Sequence, residues 1–365
     1  MILIQDILNC IEAFAPPALQ ESYDNSGLQC GNSKQEATGA LLCLDITHQI
    51  LEEAIQKKCN LIIAHHPLIF SPLKKITGTN YVEELLIKAI KQNIALYACH
   101  TNADNVSSGV NNKIAQKIGL INTQVLQPKK DLLKKLVTFC PTKQAESIRE
   151  ALFNAGCGEI GNYGNCSFNT SGTGTFKANE DANPFVGEKN KLHSESEIRI
   201  ESIFESYKER QVIDALLKAH PYGEVAYDIY SLDNKHPNIG SGLVGELPNA
   251  VDEKEFLLLL KSIFKANGIR HTAFLHKKVK KVALCGGSGS FLVKDAIACN
   301  ADIFITGDFK YHQFFDTESK LLIADIGHYE SEQFTPELFY EVISKKIPTF
   351  AAYLSNLNTN PINYL

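Results

Sequence analysis

Short apolar runs alternate with helical patterns of hydrophobic positions through the first part of the chain. Bounded apolar runs are typical of buried strands, whereas apolar residues that recur with helical spacing indicate helices. The predicted strands are 40–45, 61–64 and 94–99. An amphipathic stretch covers residues 4–14, and the predicted helices are 49–58, 82–92 and 110–118. This alternation favours a parallel sheet with helices on its faces.

The same alternation returns in the last part of the sequence. The predicted strands are 279–284, 303–306 and 321–326. The predicted helices are 291–298 and 311–319, and a longer helix begins near Ser331. We therefore expect an α/β protein with two similar halves, residues 1–129 and 235–365, that form one core.

The segment between the halves, residues 130–234, has a different composition. Predicted strands at 137–140, 194–202 and 224–231 accompany predicted helices at 145–155 and 209–219. Residues 156–183 are rich in Gly, Asn, Ser and Thr. A β-α-β-β-α-β order of this length predicts an inserted ferredoxin-like domain. The polar stretch is equally compatible with a flexible loop.

Composition and charge narrow the class of protein. The chain has 365 residues, of which 44% are hydrophobic, as a protein with buried cores needs. Its net charge of -5 offers no general attraction to nucleic acid, so we expect none as the main partner. The first twenty residues lack an apolar signal core and no apolar run is long enough to span a membrane, so we expect a cytoplasmic protein. The ten cysteines form no C-x-x-C pair and are interpreted as free thiols in a reducing compartment.

Three of the predicted strands end in side chains that can bind a metal. The first runs into His65-His66-Pro67, the second into His100 and Asp104, and the third into Gly327-His328, with Glu332 following. Ligands of a parallel sheet collect beyond the carboxyl ends of its strands. Imidazole nitrogen and carboxylate oxygen are the usual donors for zinc, manganese or iron. The sequence therefore predicts a metal centre built from these donors.

The spacing of the donors favours two metal ions. Adjacent histidines at the end of a strand point to opposite sides, which suits one residue for each of two ions bridged by Asp104 or Glu332. Glu332 lies one helical turn after His328, so both can face the same site. The alternative interpretation is that His65-His66 is a solvated loop pair and His328 an ordinary residue at the start of a helix.

Other polar positions near strand ends are candidates for supporting roles. Asp308, Tyr311 and His312 follow the strand at 303–306 and could hold substrate or move protons, although Asp308 could instead cap the next helix. Asp45 could support a histidine or begin a turn, and His100 could orient Asp104 or bind substrate. The glycine-rich segment 286–290 could cradle a phosphate or form a tight turn.

Several of these motifs together resemble a known family. They are His65-His66-Pro67, His100-Thr101-Asn102-Ala103-Asp104, Thr306-Gly307-Asp308-Phe309-Lys310-Tyr311-His312 and Gly327-His328-Tyr329-Glu330-Ser331-Glu332. Shorter matches are Tyr23-Asp24-Asn25-Ser26-Gly27-Leu28-Gln29, Gly240-Ser241-Gly242-Leu243-Val244-Gly245 and Gly286-Gly287-Ser288-Gly289-Ser290. They resemble, in order along both halves, the Nif-three-like family, whose members are called GTP cyclohydrolase 1 type 2 homologues.

The resemblance implies a dinuclear metal centre on the inner face of a toroidal homohexamer. The residues in the matching ligand positions are His65, His66, Asp104, His328 and Glu332. Two divalent ions per chain are expected, with zinc as the first choice and manganese or iron as alternatives. The longer members of the family carry an insert similar to the PII and CutA proteins, which agrees with the segment 130–234.

We expect a metal-dependent hydrolase that acts on a nucleotide-like or phosphate-containing small molecule. The alternative is a metal-binding, metal-insertion or regulatory assembly protein without turnover. In a further alternative, the ions only stabilise the assembly, as structural zinc does.

Overall fold

The computed structural model describes residues 1–365 as a mixed α/β protein with three β-sheets. The chain divides into two compact units: unit 1 contains residues 1–128 and 238–365, and unit 2 contains residues 129–237. No helix combines the length and the apolar character that crossing a membrane requires.

The strands and helices are numbered along the chain. The strands are β1 (Gly27–Cys30), β2 (Ala40–Cys43), β3 (Leu61–Ala64), β4 (Ala95–Ala98), β5 (Ile121–Pro128), β6 (Leu133–Pro141), β7 (Phe168–Lys177), β8 (Leu192–Glu205), β9 (Tyr227–Ser231), β10 (Gly240–Asp252), β11 (Arg270–His271), β12 (Lys278–Ser288), β13 (Ile303–Gly307), β14 (Leu322–Asp325) and β15 (Ala352–Leu354). The helices are α1 (Ile4–Phe14), α2 (His48–Gln56), α3 (Tyr81–Lys91), α4 (Thr101–Asp104), α5 (Val110–Ile118), α6 (Ala145–Asn154), α7 (Glu209–Ala219), α8 (Glu253–Ile263), α9 (Val293–Ala298), α10 (His328–Glu332) and α11 (Thr335–Lys346). Short 3-10 helices occupy Pro17–Leu19, Thr142–Gln144, Ser206–Lys208, Ser290–Leu292 and Tyr311–Thr317.

Unit 1 contains two sheets. The first has the order β1-β4-β3-β2-β15, and its strands are parallel except for β1. The second has the order β11-β14-β13-β12-β10-β5, in which the neighbouring pairs β12-β13 and β13-β14 are parallel and the other neighbouring pairs are antiparallel. The expectation of a parallel sheet therefore holds for the central strands, whereas the edges of both sheets contain antiparallel pairs.

Two edge strands join parts of the chain that lie far apart in sequence. In β5, which precedes unit 2, Val125 is paired with Leu243 of β10, which follows unit 2. In β15, Ala352 is paired with Ala40 of β2. Each sheet of unit 1 therefore contains an edge strand from the other half of the chain.

The main core lies between the two sheets of unit 1. Alternate residues of a strand face opposite sides, so Leu42 and Ile63 face this core while Leu41 and Ile62 face α2 and α3 on the outside. Helices α1, α5, α8 and α11 contribute Ile7, Ile114, Phe256 and Phe339 to the main core, and all four side chains are buried. Both faces of the central strands β2, β3 and β4 are covered, which explains why these three strands are continuous apolar runs.

Unit 2 is built on an antiparallel sheet with the order β7-β8-β6-β9. Helices α6 and α7 pack Ile148 and Val212 against Leu136 and Ile200 of the sheet. Part of the polar stretch 156–183 is the strand β7, with Thr170 paired with Arg199 of β8. Backbone pairing to β8 makes a strand possible there although the side chains of β7 are largely exposed.

The structure also corrects local predictions. The segment predicted as a helix at 311–319 is a 3-10 helix, Tyr311–Thr317. The helix expected near Ser331 is two helices, α10 and α11. The sequence interpretation missed α8, although Asp252 caps it by accepting a hydrogen bond from the Lys254 backbone N–H at 2.9 Å.

Candidate metal centre

The candidate donors lie where strands of both sheets end. His65 and His66 follow β3, and Asp104 is the last residue of α4, which begins just after β4. His328 and Glu332 are the first and last residues of α10, which follows β14 of the second sheet. Gly327 makes the sharp turn before α10 with φ +98°, and a Cβ there would lie 2.1 Å from Glu330 Oε2. The centre therefore brings together donors from both sheets of unit 1.

One group of donors is formed by His65, Asp104 and Glu332, whose ligand atoms lie within 4.8 Å of one another. His65 Nε2 lies 3.8 Å from Asp104 Oδ1 and 3.6 Å from Glu332 Oε1. His65 Nε2 and Asp104 Oδ1 are both buried and have no hydrogen-bond partner. Because buried polar atoms are nearly always paired, this group fits a cation as the missing partner.

A second group is formed by His66, His328 and Glu332. Glu332 Oε2 lies 3.0 Å from His66 Nε2 and 3.1 Å from His328 Nε2. The two Nε2 atoms are 3.2 Å apart. Glu332 thus presents Oε1 to the first group and Oε2 to the second.

The Nδ1 atom of each clustered histidine is held by an oxygen. His65 Nδ1–H donates to the Cys99 carbonyl oxygen at 2.9 Å. His66, His328 and His100 have carboxylate partners at 2.7 Å, namely Asp45, Asp308 and Asp24 respectively. A hydrogen bond from Nδ1–H to an oxygen orients the ring of a metal-binding histidine and leaves the Nε2 lone pair free to bind the metal. The supporting role considered for Asp45 therefore matches its position.

Burial and close charges shift the pKa values of the cluster. Burial lowers the pKa of His66, but hydrogen bonds with Asp45 and Glu332 outweigh it and raise the pKa to about 10. The charge of Glu332 is the largest influence on His328 and raises its pKa to about 11. Burial alone would raise the pKa of Glu332, yet the histidine charges hold it well below its usual range. Burial and the charge of Glu332 raise the pKa of Asp104 well above its usual range.

His100 belongs to the same cluster. It forms a third donor group with His65 and His66, and its ring packs edge-on against theirs at centroid distances of 5.2 and 5.4 Å. The sequence interpretation kept His100 outside the metal set. The signal that could have included it was its place at the same strand end as Asp104.

The glycine-rich segment 286–290 does not offer a free phosphate cradle. Three of its backbone N–H groups already donate to side-chain oxygens: Gly286 to Asn111, Gly287 to Ser331 and Gly289 to Thr306, each at 2.9 Å. Gly287 instead lies against the centre, because a Cβ there would be 2.4 Å from Glu332 Oε1 and 3.2 Å from His328 Cε1. Sequence reasoning missed this steric role.

The three residues considered for catalysis lie in different surroundings. The Asp308 carboxylate accepts a hydrogen bond from His328 Nδ1–H, and Asp308 has φ +56° rather than the position of a helix cap. Tyr311 and His312 are exposed, with ring centroids 5.1 Å apart, and Tyr311 also packs against Phe315. The structure thus joins Asp308 to the donor cluster through His328, whereas Tyr311 and His312 contact each other.

Known proteins resemble this chain over its whole length. A family model described as Duf34/NIF3 (NGG1p interacting factor 3) matches residues 2–361. A protein of Bacillus subtilis (strain 168) named GTP cyclohydrolase 1 type 2 homolog is 38% identical, over 99% of this chain and 98% of its own length. The crystal structure of the Bacillus cereus protein related to NIF3 is 38% identical with a TM-score of 0.86, over 100% of this chain and 99% of that one. Staphylococcus aureus protein SA1388 is 27% identical with a TM-score of 0.79 over the same shares.

Proposed function

The chain belongs to the Duf34/NIF3 family, and from this premise we propose that it is a dinuclear metal-binding protein that works as a metal-dependent hydrolase. Its substrate in this proposal is a nucleotide-like or phosphate-containing small molecule. His65, Asp104 and Glu332 would hold one ion, and His66, His328 and Glu332 the other. Zinc is the proposed metal, with manganese or iron as alternatives, because imidazole and carboxylate suit all three.

The observation that carries the proposal is the position of Glu332 between the two donor groups. Its Oε1 is near His65 Nε2 at 3.6 Å, and its Oε2 is near His66 Nε2 at 3.0 Å. A carboxylate that turns one oxygen to each of two donor groups is suited to bridging two ions. The partnerless atoms His65 Nε2 and Asp104 Oδ1 support the same interpretation, since a cation would satisfy both.

The two sides of the centre differ in exposure. The side chains of His65 and Glu332 are 0% and 3% exposed, whereas those of His66 and His328 are 23% and 33% exposed. A substrate can therefore approach from the side of His66 and His328. We propose Tyr311 and His312, which lie exposed just beyond Asp308, as contacts for substrate on that approach.

Each part of the site has a defined task in this proposal. Divalent ions in such a site would supply Lewis acidity that activates water and polarises a phosphoryl or ring carbon. Asp45 and Asp308 hold the rings of His66 and His328 with Nε2 directed to Glu332. The buried surroundings of His65 and Glu332 exclude water from the inner side, which strengthens every charge interaction there. Relatives named GTP cyclohydrolase 1 type 2 homolog make GTP a reasonable first substrate to assay.

Elemental analysis of protein purified without chelator tests the proposal. We expect about two equivalents of metal per chain, and a sharp loss in Asp104→Ala. Asp316→Ala is the control, because Asp316 is an exposed carboxylate on the 3-10 helix Tyr311–Thr317. Hydrolysis of GTP and of a generic phosphate ester is then measured for all three proteins. Near-zero metal in the wild type, or full hydrolysis by Asp104→Ala, would contradict the proposal.

A non-catalytic metal-binding, metal-insertion or regulatory role is the second candidate. The near-complete burial of His65 and Glu332 favours it, because sites that retain metal are closed by protein donors. Slow exchange of bound metal together with no turnover on any tested phosphate would support this candidate. Rapid exchange with turnover would exclude it.

We further propose two features that follow from the family resemblance. Unit 2 has the element order β-α-β-β-α-β and the strand order β7-β8-β6-β9, which supports a ferredoxin-like insert. The second feature is a toroidal homohexamer. Sedimentation equilibrium should give the mass of six 40.4 kDa chains, and a monomer mass would overturn that proposal.

A further inference from the structure

The residues after β15 contact both sides of the candidate metal centre. We define the tail segment as residues 355–365. Most of it is exposed, but Thr359 and Asn360 are half-buried. Each of these two residues donates a side-chain hydrogen bond to a carboxylate close to the donor cluster.

The first contact extends the hydrogen bonding of His66. Thr359 Oγ1 donates to Asp45 Oδ2 at 2.7 Å, while His66 Nδ1–H donates to Asp45 Oδ1, also at 2.7 Å. Burial alone would raise the pKa of Asp45, but the bonds from His66 and Thr359 lower it. With both oxygens occupied, the Asp45 carboxylate has a defined orientation and so defines the plane of the His66 ring.

The second contact is made to α10, which carries donors at both of its ends. Asn360 Nδ2 donates to Glu330 Oε1 at 3.0 Å. Glu330 lies between His328 and Glu332 along the helix. The tail segment therefore joins the strand end of the first sheet to the helix that presents the donors of the second sheet.

We propose that the tail segment positions the metal centre by fixing His66 and α10 relative to each other, so that metal affinity depends on Thr359 and Asn360. This inference rests on the proposed function. Thr359 is a positioning residue, since it touches Asp45 and no donor atom of the cluster. Because coupling between two binding events is reciprocal, metal binding in turn tightens the attachment of the tail segment.

Metal titration of the full chain tests the inference. Apoprotein is titrated with Zn²⁺ in competition with a chromophoric chelator, and with Co²⁺ while the visible absorption of the bound ion is recorded. Thr359→Val keeps the shape of the side chain and removes the hydroxyl, and Thr359→Ser restores it. We expect about tenfold weaker binding and an altered Co²⁺ spectrum in Thr359→Val, which is the lower end of the range for outer hydrogen-bond partners. Thr359→Ser should recover both.

Ser355→Ala is the matched control within the tail segment. Ser355 Oγ donates to Glu53 Oε2 at 2.6 Å, a bond of similar length to a carboxylate of α2. Its loss should leave metal affinity and the Co²⁺ spectrum unchanged. Hydrogen exchange of the backbone at 357–363 should slow on metal loading in the wild type, and the slowing should be smaller in Thr359→Val.

The outcomes separate this inference from the proposed function. Wild-type affinity and spectrum in Thr359→Val, with a wild-type response of the tail segment to metal, would overturn the tail inference and leave the metal centre intact. Equal weakening of metal binding in Thr359→Val and Ser355→Ala would overturn it as well, because the cause would then be a general loosening of the tail segment. Absence of metal binding in the wild type would overturn both proposals.

Discussion

His65 Nε2 and Asp104 Oδ1 face each other at 3.8 Å, and both atoms are buried without a hydrogen-bond partner. A buried polar atom left unpaired costs about 1–3 kcal/mol, and more when it carries charge. The fold bears this cost at two adjacent atoms of unlike chemistry, a nitrogen lone pair and a carboxylate oxygen. A cation between them removes the cost at both atoms, so metal binding and folding stability are linked.

Metal loading should therefore raise the melting temperature, and Asp104→Asn should reduce that gain. Bound ligand at about 100 times its dissociation constant stabilises a protein by about 2.7 kcal/mol. We expect most of this increment to disappear in Asp104→Asn, measured by calorimetry with and without Zn²⁺. The metal-free variant should melt no lower than metal-free wild type, because an uncharged amide replaces the carboxylate whose Oδ1 is buried without a partner. An unchanged Zn²⁺ increment in the variant would contradict the linkage.

Gly287→Ala should disrupt the centre by pushing Glu332 out of place. The added Cβ would lie 2.4 Å from Glu332 Oε1, and Gly287 has φ +59°, where a side chain is strained. We expect displacement of Glu332 and loss of at least half of the bound metal, measured by elemental analysis.

Gly119→Ala is the control for backbone strain alone. Gly119 ends α5 with φ +83°, and a Cβ there would meet nothing within 4 Å. It should cost about 1 kcal/mol of stability and leave the metal content intact. Equal metal loss in both variants would mean that strain, and not contact with Glu332, is responsible.

Asp308→Asn should weaken metal binding by about 10–100-fold. The carboxylate holds His328 through Nδ1 at 2.7 Å, and an amide can present either an oxygen or an N–H to that nitrogen. Tyr311→Phe, three residues on, should bind metal as the wild type does. Any effect of this substitution should appear only in the turnover rate. Chelator competition measures the first quantity and steady-state kinetics the second. Wild-type affinity in Asp308→Asn would exclude a positioning role for this carboxylate.

Glu83 should contribute stability that depends on pH. Its carboxylate accepts hydrogen bonds from the Thr77 and Thr79 backbone N–H groups at 2.7 and 3.1 Å, and these hold its pKa at about 2, below its usual 4.5. Since the folded-state pKa is lowered, the contribution is fully present above about pH 4.5 and is lost as the pH falls towards about 2. Urea unfolding across this range should show a smaller loss of stability in Glu83→Gln.

The neighbouring residue Glu84, which is exposed, provides the comparison. Glu84→Gln should retain the wild-type loss of stability below pH 4.5. If Glu83→Gln and Glu84→Gln gave the same pH profile, the backbone bonds of Glu83 would not be the cause.

Much of the fold followed from local patterns. The central strands β2, β3 and β4 are buried on both faces, so each is a continuous apolar run between polar segments. The pattern of apolar residues does not predict the edge strands, because β1 is only partly buried and β5 is largely exposed, and both gain their stability from backbone pairing with partners far away in sequence. The pattern of apolar residues at 311–319 predicts a helix, but it does not separate an α-helix from the 3-10 helix observed at Tyr311–Thr317.

The sequence by itself determined which side chains stand at strand ends, and hence the residue types available to a metal: His65, His66, Asp104, His328 and Glu332. That information is local, because a strand end and one helical turn fix direction within a few residues. Only the tertiary structure decided which atoms meet. It set Glu332 between two donor groups and brought His100 to the donor cluster. It also placed Gly287 against Glu332 and linked Thr359 to Asp45 across 314 positions of sequence. Such contacts depend on how the two sheets pack through their shared core, and no spacing along the chain encodes that distance.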